Sequence, residues 1–347
     1  MRGVLLDGPG AAPRVAELPE PDCAADGVVV RVEATGVCRS DWHAWQGHDP
    51  DVVWPHVPGH ELAGTVVEVG TDVRRWRSGD RVTVPFVCAC GDCAACRVGE
   101  HQVCERQTQP GFTHWGSYAE SVALRHADVN LVALPDGMTP AVAASLGCRF
   151  ATAYRALGVH GRVRAGEALA VHGCGGVGLS AVMIGAAGGA RVVAVDPSPA
   201  ARAAAAELGA VAVIDPTGMS PEDVGEAVVR ATDGGAAVSL DALGHPDAAV
   251  GSVLGLRRRG RHVQVGLLLA RHARTALPMD RVVAWELEVY GSHGMAAHEY
   301  PAMLARVASG ALDPARLLGR TVGLDDAPAA LVDVGSAVHP RMTVVLP

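Results

Sequence analysis

The sequence predicts an α/β chain of two domains, one rich in β-strands and one built as a doubly wound parallel sheet. Three observations carry this. At 347 residues the chain exceeds what one hydrophobic core commonly serves. From residue 1 to about 149, short valine-containing runs such as Gly27 to Val32, Ala63 to Val69 and Asp80 to Val84 are bounded by Gly, Pro and Asp, the pattern of strands closed by turns. From about 150 to 288, strand-like runs alternate with alanine-rich helical stretches, which indicates βαβ units.

Within that second stretch, Ala168 to His172 and Arg191 to Asp196 read as strands, and Leu179 to Ala187 and Pro199 to Leu208 as helices. Beyond about 289 a helix is expected over Tyr300 to Ser309 and a closing strand over Met342 to Leu346. This tail is expected to rejoin the first domain, dividing the chain into 1–149, 150–288 and 289–347. The run Arg257 to Arg261 reads as a solvated turn before a strand.

Composition narrows the function classes. A net charge of −8 gives no long-range attraction to nucleic acid or to an anionic membrane surface, so neither is expected as a partner. There is no lysine, so any cationic contact to a phosphate must come from arginine, whose planar fork suits it. Only three apolar residues stand together before Asp7, far short of a signal peptide, and the apolar stretch Ala168 to Val195 is broken by His172, Arg191 and glycines. Nine cysteines with one dense cluster point to metal-held thiolates in a reducing compartment, the cytoplasm.

The cluster is Cys90, Cys93, Cys96 and Cys104, spaced C-x2-C-x2-C-x7-C with Gly91 and Gly99 to let the backbone curl. A short loop of this kind wraps one tetrahedral zinc in four sulfurs, leaving no open position, so the metal would stabilise a lobe (88–105) rather than react. An iron–sulfur cluster is the rival reading, disfavoured because the common ferredoxin spacing is missing.

A second constellation brings in Cys38 from Cys38-Arg39-Ser40-Asp41-Trp42-His43, His60-Glu61 twenty-two residues later, and Cys148 at the boundary between the two halves. Domain clefts are where catalytic sites collect. Beyond that boundary, Ala168 to His172 leads into Gly173-Cys174-Gly175-Gly176-Val177-Gly178, a strand followed by G-x-G-x-x-G and a helix, with Asp196 ending the next strand eighteen positions on. Gly173 permits the tight turn, Gly175 lets a diphosphate approach the backbone, and Gly178 allows helix and strand to pack. The carboxylate of Asp196 accepts both ribose hydroxyls of NAD and repels the extra phosphate of NADP. Arg202, a helical turn on, flanks the adenine.

Taken together, GVCRSDWH, PGHELAG, the four-cysteine lobe, GCRFATAY and the glycine-rich βαβ unit stand in the order of the zinc-dependent medium-chain alcohol dehydrogenase family, which the chain resembles over nearly its whole length. The resemblance implies a GroES-like catalytic domain carrying a Rossmann cofactor domain, NAD as cofactor, and two zincs per subunit. It implies that Cys38, His60 and Cys148 bind the catalytic zinc, with Glu61 as an occasional ligand and Asp41 holding the other nitrogen of His60; Asp41 as a helix cap is the alternative. An alcohol oxygen in the open position loses its proton as an alkoxide and releases hydride. Ser40 and His43 relay the proton to water, and Arg39 reaches the diphosphate. Phe86, Phe112, Trp54 and Trp115 are expected to make an apolar pocket for medium-chain or aromatic alcohols and their aldehydes. A polyol or glutathione-adduct dehydrogenase, a superfamily reductase of C=C or C=N bonds, and a non-catalytic scaffold are the alternatives. Family members of this length form homo-oligomers, with tetramers favoured over dimers.

Overall fold

The computed structural model describes residues 1–269, 272–336 and 340–347. A hairpin of β1 (Arg2–Leu5) and β2 (Arg14–Glu17) leads into the main sheet of the first domain. That sheet contains β3 (Val28–Gly36), β4 (Glu61–Val69), β5 (Arg81–Thr83), β6 (Ser121–Leu124) and β7 (Val132–Ala133). β3 is its spine, pairing antiparallel with β4 on one side and β6 on the other. Alternate residues Val28, Val30 and Val32 point into one core with Leu62, Val66, Val82 and Leu124, as a period of two demands of a half-buried strand.

The second domain is a six-stranded, all-parallel sheet of β8 (Ala168–His172), β9 (Arg191–Val195), β10 (Ala212–Ile214), β11 (Ala236–Asp241), β12 (Leu256–Gln264) and β13 (Glu288–Gly291). The spatial order β10-β9-β8-β11-β12-β13 reverses direction between β8 and β11. A crevice for a ligand opens at such a switch point, beyond the carboxyl ends of the strands. The helix Gly176–Ala187 is buried from Gly178 through Gly185, because it lies between the sheet and the helical run that joins the domains. Leu169, Leu179 and Leu240 are fully buried around it, each contributing about 1.5–3 kcal/mol by leaving water.

Two expectations are corrected. The boundary at 288 falls inside β13, whose Arg261↔Glu288 to Gln264↔Gly291 ladder with β12 completes the parallel sheet. The helix Tyr300–Ala308 also packs Tyr300, Met303 and Leu304 into the core shared with Phe150 and Leu179. The arginine run does not close a turn. It lies within β12, where the register with β11 breaks between Ala236↔Leu256 and Val238↔Arg261 and Arg259 takes φ +58°.

The closing strands β14 (Leu318–Gly323) and β15 (Met342–Leu346) return to the first sheet, β15 pairing antiparallel with β3. Among the described residues no helix is long and apolar enough to cross a membrane.

Candidate active site

Cys38 sits where β3 ends and the helix Arg39–Trp45 begins, as that helix's N-terminal capping residue. Asp41, three positions on, turns its Oδ2 back to accept from the Cys38 N–H (3.0 Å), which fixes the entry of the helix. The other oxygen of Asp41 accepts from Gly59 N–H (3.2 Å) and His60 Nδ1–H (2.8 Å), and Tyr118 Oη–H donates to Oδ2 (3.2 Å). Asp41 is therefore both the cap and the partner of the imidazole. With Nδ1 occupied, His60 presents Nε2, which is buried and without a partner among the described residues.

Cys148 arrives from the other side on a π-helical turn, Leu146–Phe150, set between helices Pro140–Ala144 and Ala151–Arg155. Such turns mark functional sites in helices because the widened turn re-aims a side chain. The Gly147 carbonyl in that turn accepts from Phe86 N–H (3.1 Å) and Tyr300 Oη–H (3.2 Å), so it is tied to both domains.

The ligand atoms of Cys38, His60, Glu61 and Cys148 all lie within 4.8 Å of one another. The protons of this cluster are shared. Hydrogen bonding between the two thiols holds Cys38 well below its ordinary range and pushes Cys148 up. Two sulfurs and an orphaned imidazole nitrogen around one point are the donor set of a catalytic zinc with a vacant position, so the residues fit the metal. The Glu61 carboxylate, which lies among these ligand atoms, is also held by Arg149, through Nε–H to Oε1 (2.9 Å) and Nη2–H to Oε2.

The second set fits as well. Sulfur separations are 3.4 Å for Cys93–Cys96, 3.5 Å for Cys90–Cys104, 3.7 Å for Cys93–Cys104 and 4.0 Å for Cys90–Cys96. Zinc at about 2.3 Å from four sulfurs in a tetrahedron spaces them about 3.8 Å apart. Backbone N–H groups of Cys90 and Arg106 both point at Cys104 Sγ (3.3 Å each), which suits a thiolate.

Ser40 Oγ lies 3.7 Å from Cys38 Sγ. His43 Nδ1 is 3.0 Å from His48 Nδ1, and His48 is exposed. Burial, with Arg39 and His48 adding to it, lowers His43 to about 4, so its ring is neutral near pH 7.

Cys38, Arg39, Ser40, His43 and Arg149 line one cleft with Gly173, Gly175, Gly176, Val177 and Asp196. The glycines behave differently from one another. Gly173 takes φ +87°, and a Cβ at Gly178 would overlap the Gly173 carbonyl, whereas one at Gly175 would meet nothing within 4 Å. That open space at the helix N-terminus is where a diphosphate fits. Asp196 accepts from Cys174 N–H (2.7 Å) and Ser198 N–H (2.8 Å), leaving lone pairs on both oxygens. Arg202 donates to the Asp196 and Pro197 carbonyls (2.7 and 2.8 Å) and is paired with Asp215 (2.9 Å).

Of the four expected pocket aromatics, Phe86 packs with Cys38 and Cys148, and the rings of Phe112 and Phe86 lie 5.1 and 6.0 Å from that of His60. Trp54 stands behind Phe112. Trp115 donates to the Pro55 carbonyl (3.2 Å) and is in neither of the buried clusters that hold Phe86 and Phe112. Sequence reasoning missed Tyr118, Arg149 and His48. Only Arg149 carried a signal, its place next to Cys148.

Residues 24–136 match the alcohol dehydrogenase GroES-like domain and residues 176–309 the zinc-binding dehydrogenase domain. An alcohol dehydrogenase of Geobacillus stearothermophilus is 34% identical over 84% of each chain. A D-arabitol-phosphate dehydrogenase of Enterococcus avium is 30% identical over 90% of this chain and 88% of its own. The solved alcohol dehydrogenase TADH from Thermus sp. ATN1 superposes with TM-score 0.90 at 30% identity, covering 100% of this chain and 99% of that one. With both domains matched and the two cysteine-bearing sites assembled, the chain belongs to the zinc-dependent medium-chain dehydrogenase/reductase family.

Proposed function

We propose that the chain is an NAD-dependent zinc alcohol dehydrogenase, interconverting a primary or secondary alcohol, medium-chain or aromatic by preference, with its aldehyde or ketone. The observation that carries this reading is the cleft in which Cys38, Ser40 and His43 meet Gly173, Gly175 and Asp196, a metal donor and the relay residues on one wall and a nucleotide loop on the other. Cys38, His60 and Cys148 would hold the zinc, which would supply Lewis-acid polarisation of a substrate oxygen, and the glycine loop would hold a nicotinamide cofactor as the hydride carrier.

The chain's own residues do the rest. Asp41 fixes the ring of His60 by its 2.8 Å bond to Nδ1. A proton leaving the substrate passes to Ser40 Oγ, then to the neutral ring of His43, and from there to His48, whose exposed ring hands it to water. Phe86 and Phe112 give the site an apolar wall that excludes water.

Asp196 favours NAD, and Asp215 occupies the arginine that would otherwise grip the extra phosphate of NADP. Among the neighbours, one is described as an NAD-dependent alcohol dehydrogenase and another, from Sinorhizobium meliloti 1021, was solved with NADP. A homo-oligomer, tetramer before dimer, working in the cytoplasm belongs to the same reading. The relatives named for D-arabitol phosphate and L-galactonate keep polyol-type substrates as the second reading.

The test is a panel of alcohols and aldehydes assayed by NADH absorbance with zinc-loaded protein. Aromatic and medium-chain alcohols are expected to turn over with NAD. Oxidation of polyols alone would replace the substrate assignment, and about a tenfold preference for NADPH would overturn the cofactor assignment.

A further inference from the structure

Glu61 is fully buried, and its carboxylate lies within 4.8 Å of the ligand atoms of Cys38, His60 and Cys148. A carboxylate at that range is a competent zinc ligand, and in the fourth position it would close the site. Arg149 engages both of its oxygens. Its backbone N–H and Nε–H both donate to Oε1 (3.2 and 2.9 Å), and Nη2–H donates to Oε2. The guanidinium is itself buried, so the pair is two-pronged and desolvated on both sides.

Two glycines wall the pair in. A Cβ at Gly36 would overlap Glu61 Oε2, and one at Gly176 would overlap Arg149 Cδ, so both glycines lie in direct contact with the pair. It also stands immediately after Cys148 in the chain, so the backbone that delivers a metal ligand delivers the restraint with it.

We propose that Arg149 is a positioning residue that keeps Glu61 off the metal and so leaves the fourth coordination place to substrate. This rests on the zinc reading above. Without the guanidinium, the metal is the cation left within reach of a carboxylate that is too deeply buried to be solvated. The carboxylate would then compete with any external ligand at the effective concentration of a tethered group.

The test uses cobalt, whose visible absorption reports coordination, in place of zinc in the whole protein, titrated with imidazole as external ligand. The parent is expected to bind imidazole with a change in its cobalt bands. Arg149→Met should bind imidazole about tenfold more weakly or worse, and Glu61→Gln/Arg149→Met should return to within about threefold of the parent. Arg149→Lys, a point charge without the fork, should be several-fold weaker and be reversed by Glu61→Gln; this pair carries the test if Arg149→Met does not fold.

Parent-like affinity in the single variants overturns the proposal. So does a double variant that loses as much as the single one, since the loss would then come from packing. Cobalt bands in the parent that ignore imidazole would instead bring down the zinc reading itself, and this inference with it.

Discussion

Replacing Asp41 by Asn removes one charge without changing shape, and the structure says which contact breaks. Four donors meet the carboxylate: Cys38 N–H and Tyr118 Oη–H at Oδ2, Gly59 N–H and His60 Nδ1–H at Oδ1. An amide offers one accepting oxygen and one NH2 that only donates. If the NH2 faces His60, the ring must move its proton to Nε2, the nitrogen a metal needs. If it faces the other way, the Cys38 N–H loses its acceptor while Tyr118 turns to the Gly36 carbonyl, 3.5 Å away.

The second arrangement costs less. One hydrogen bond to a charged acceptor is lost, about 1.5–3 kcal/mol. His60 keeps its tautomer but donates to a neutral oxygen, a change that lowers metal affinity by about 10–100-fold, or about 1.4–2.8 kcal/mol. The four-cysteine lobe shares none of these contacts, so its metal is the internal control. Zinc release to a chromophoric chelator should show one fast and one unchanged phase in Asp41→Asn against two slow phases in the parent. Two unchanged phases, or equal acceleration of both, would refute the reasoning.

Ser40→Ala should leave zinc and NAD binding intact, by metal analysis and cofactor titration, while turnover falls by about two orders of magnitude; near-parent turnover removes the relay. Asp196→Asn should lower the ratio of kcat/KM for NAD over NADP by about tenfold or more, because the charge that repels the extra phosphate is gone; an unchanged ratio places discrimination elsewhere. His172 and His262 are buried in the parallel sheet, where burial lowers them to about 3 and about 4, with His262 adding to the shift of His172. Their folded values lie below the unfolded value of about 6.5, so the unfolded chain takes up protons first as pH falls. Their contribution is complete above about pH 6.5 and lost as pH falls towards 4, by up to about 1.4 kcal/mol per pH unit for each. Urea midpoints at pH 7 and pH 5 should therefore lie closer together in His262→Gln than in the parent, and equal separations would contradict this.

Features carried by local spacing were legible in the chain. Four cysteines within fifteen residues, a strand leading into a glycine loop, and an acidic residue ending the next strand each encode their geometry within one turn or one βαβ unit, where covalent connection limits the outcomes. β8, β9 and β15 accordingly fall within one residue of their expected limits.

Packing decided what no spacing could. Glu61 reads only as an occasional ligand of the metal until folding brings Arg149, 88 positions away, against it. Asp41 serves as cap and as partner to His60 at once because Tyr118, 77 positions on, closes the same pocket. The direction of Cys148 depends on a π-helical turn held by Phe86 and Tyr300 from two other parts of the chain. The end of the cofactor domain depends on whether 288–291 finds β12 as a partner. In each case the free energy lies in contacts between distant segments, so it exists only once the chain has assembled around them.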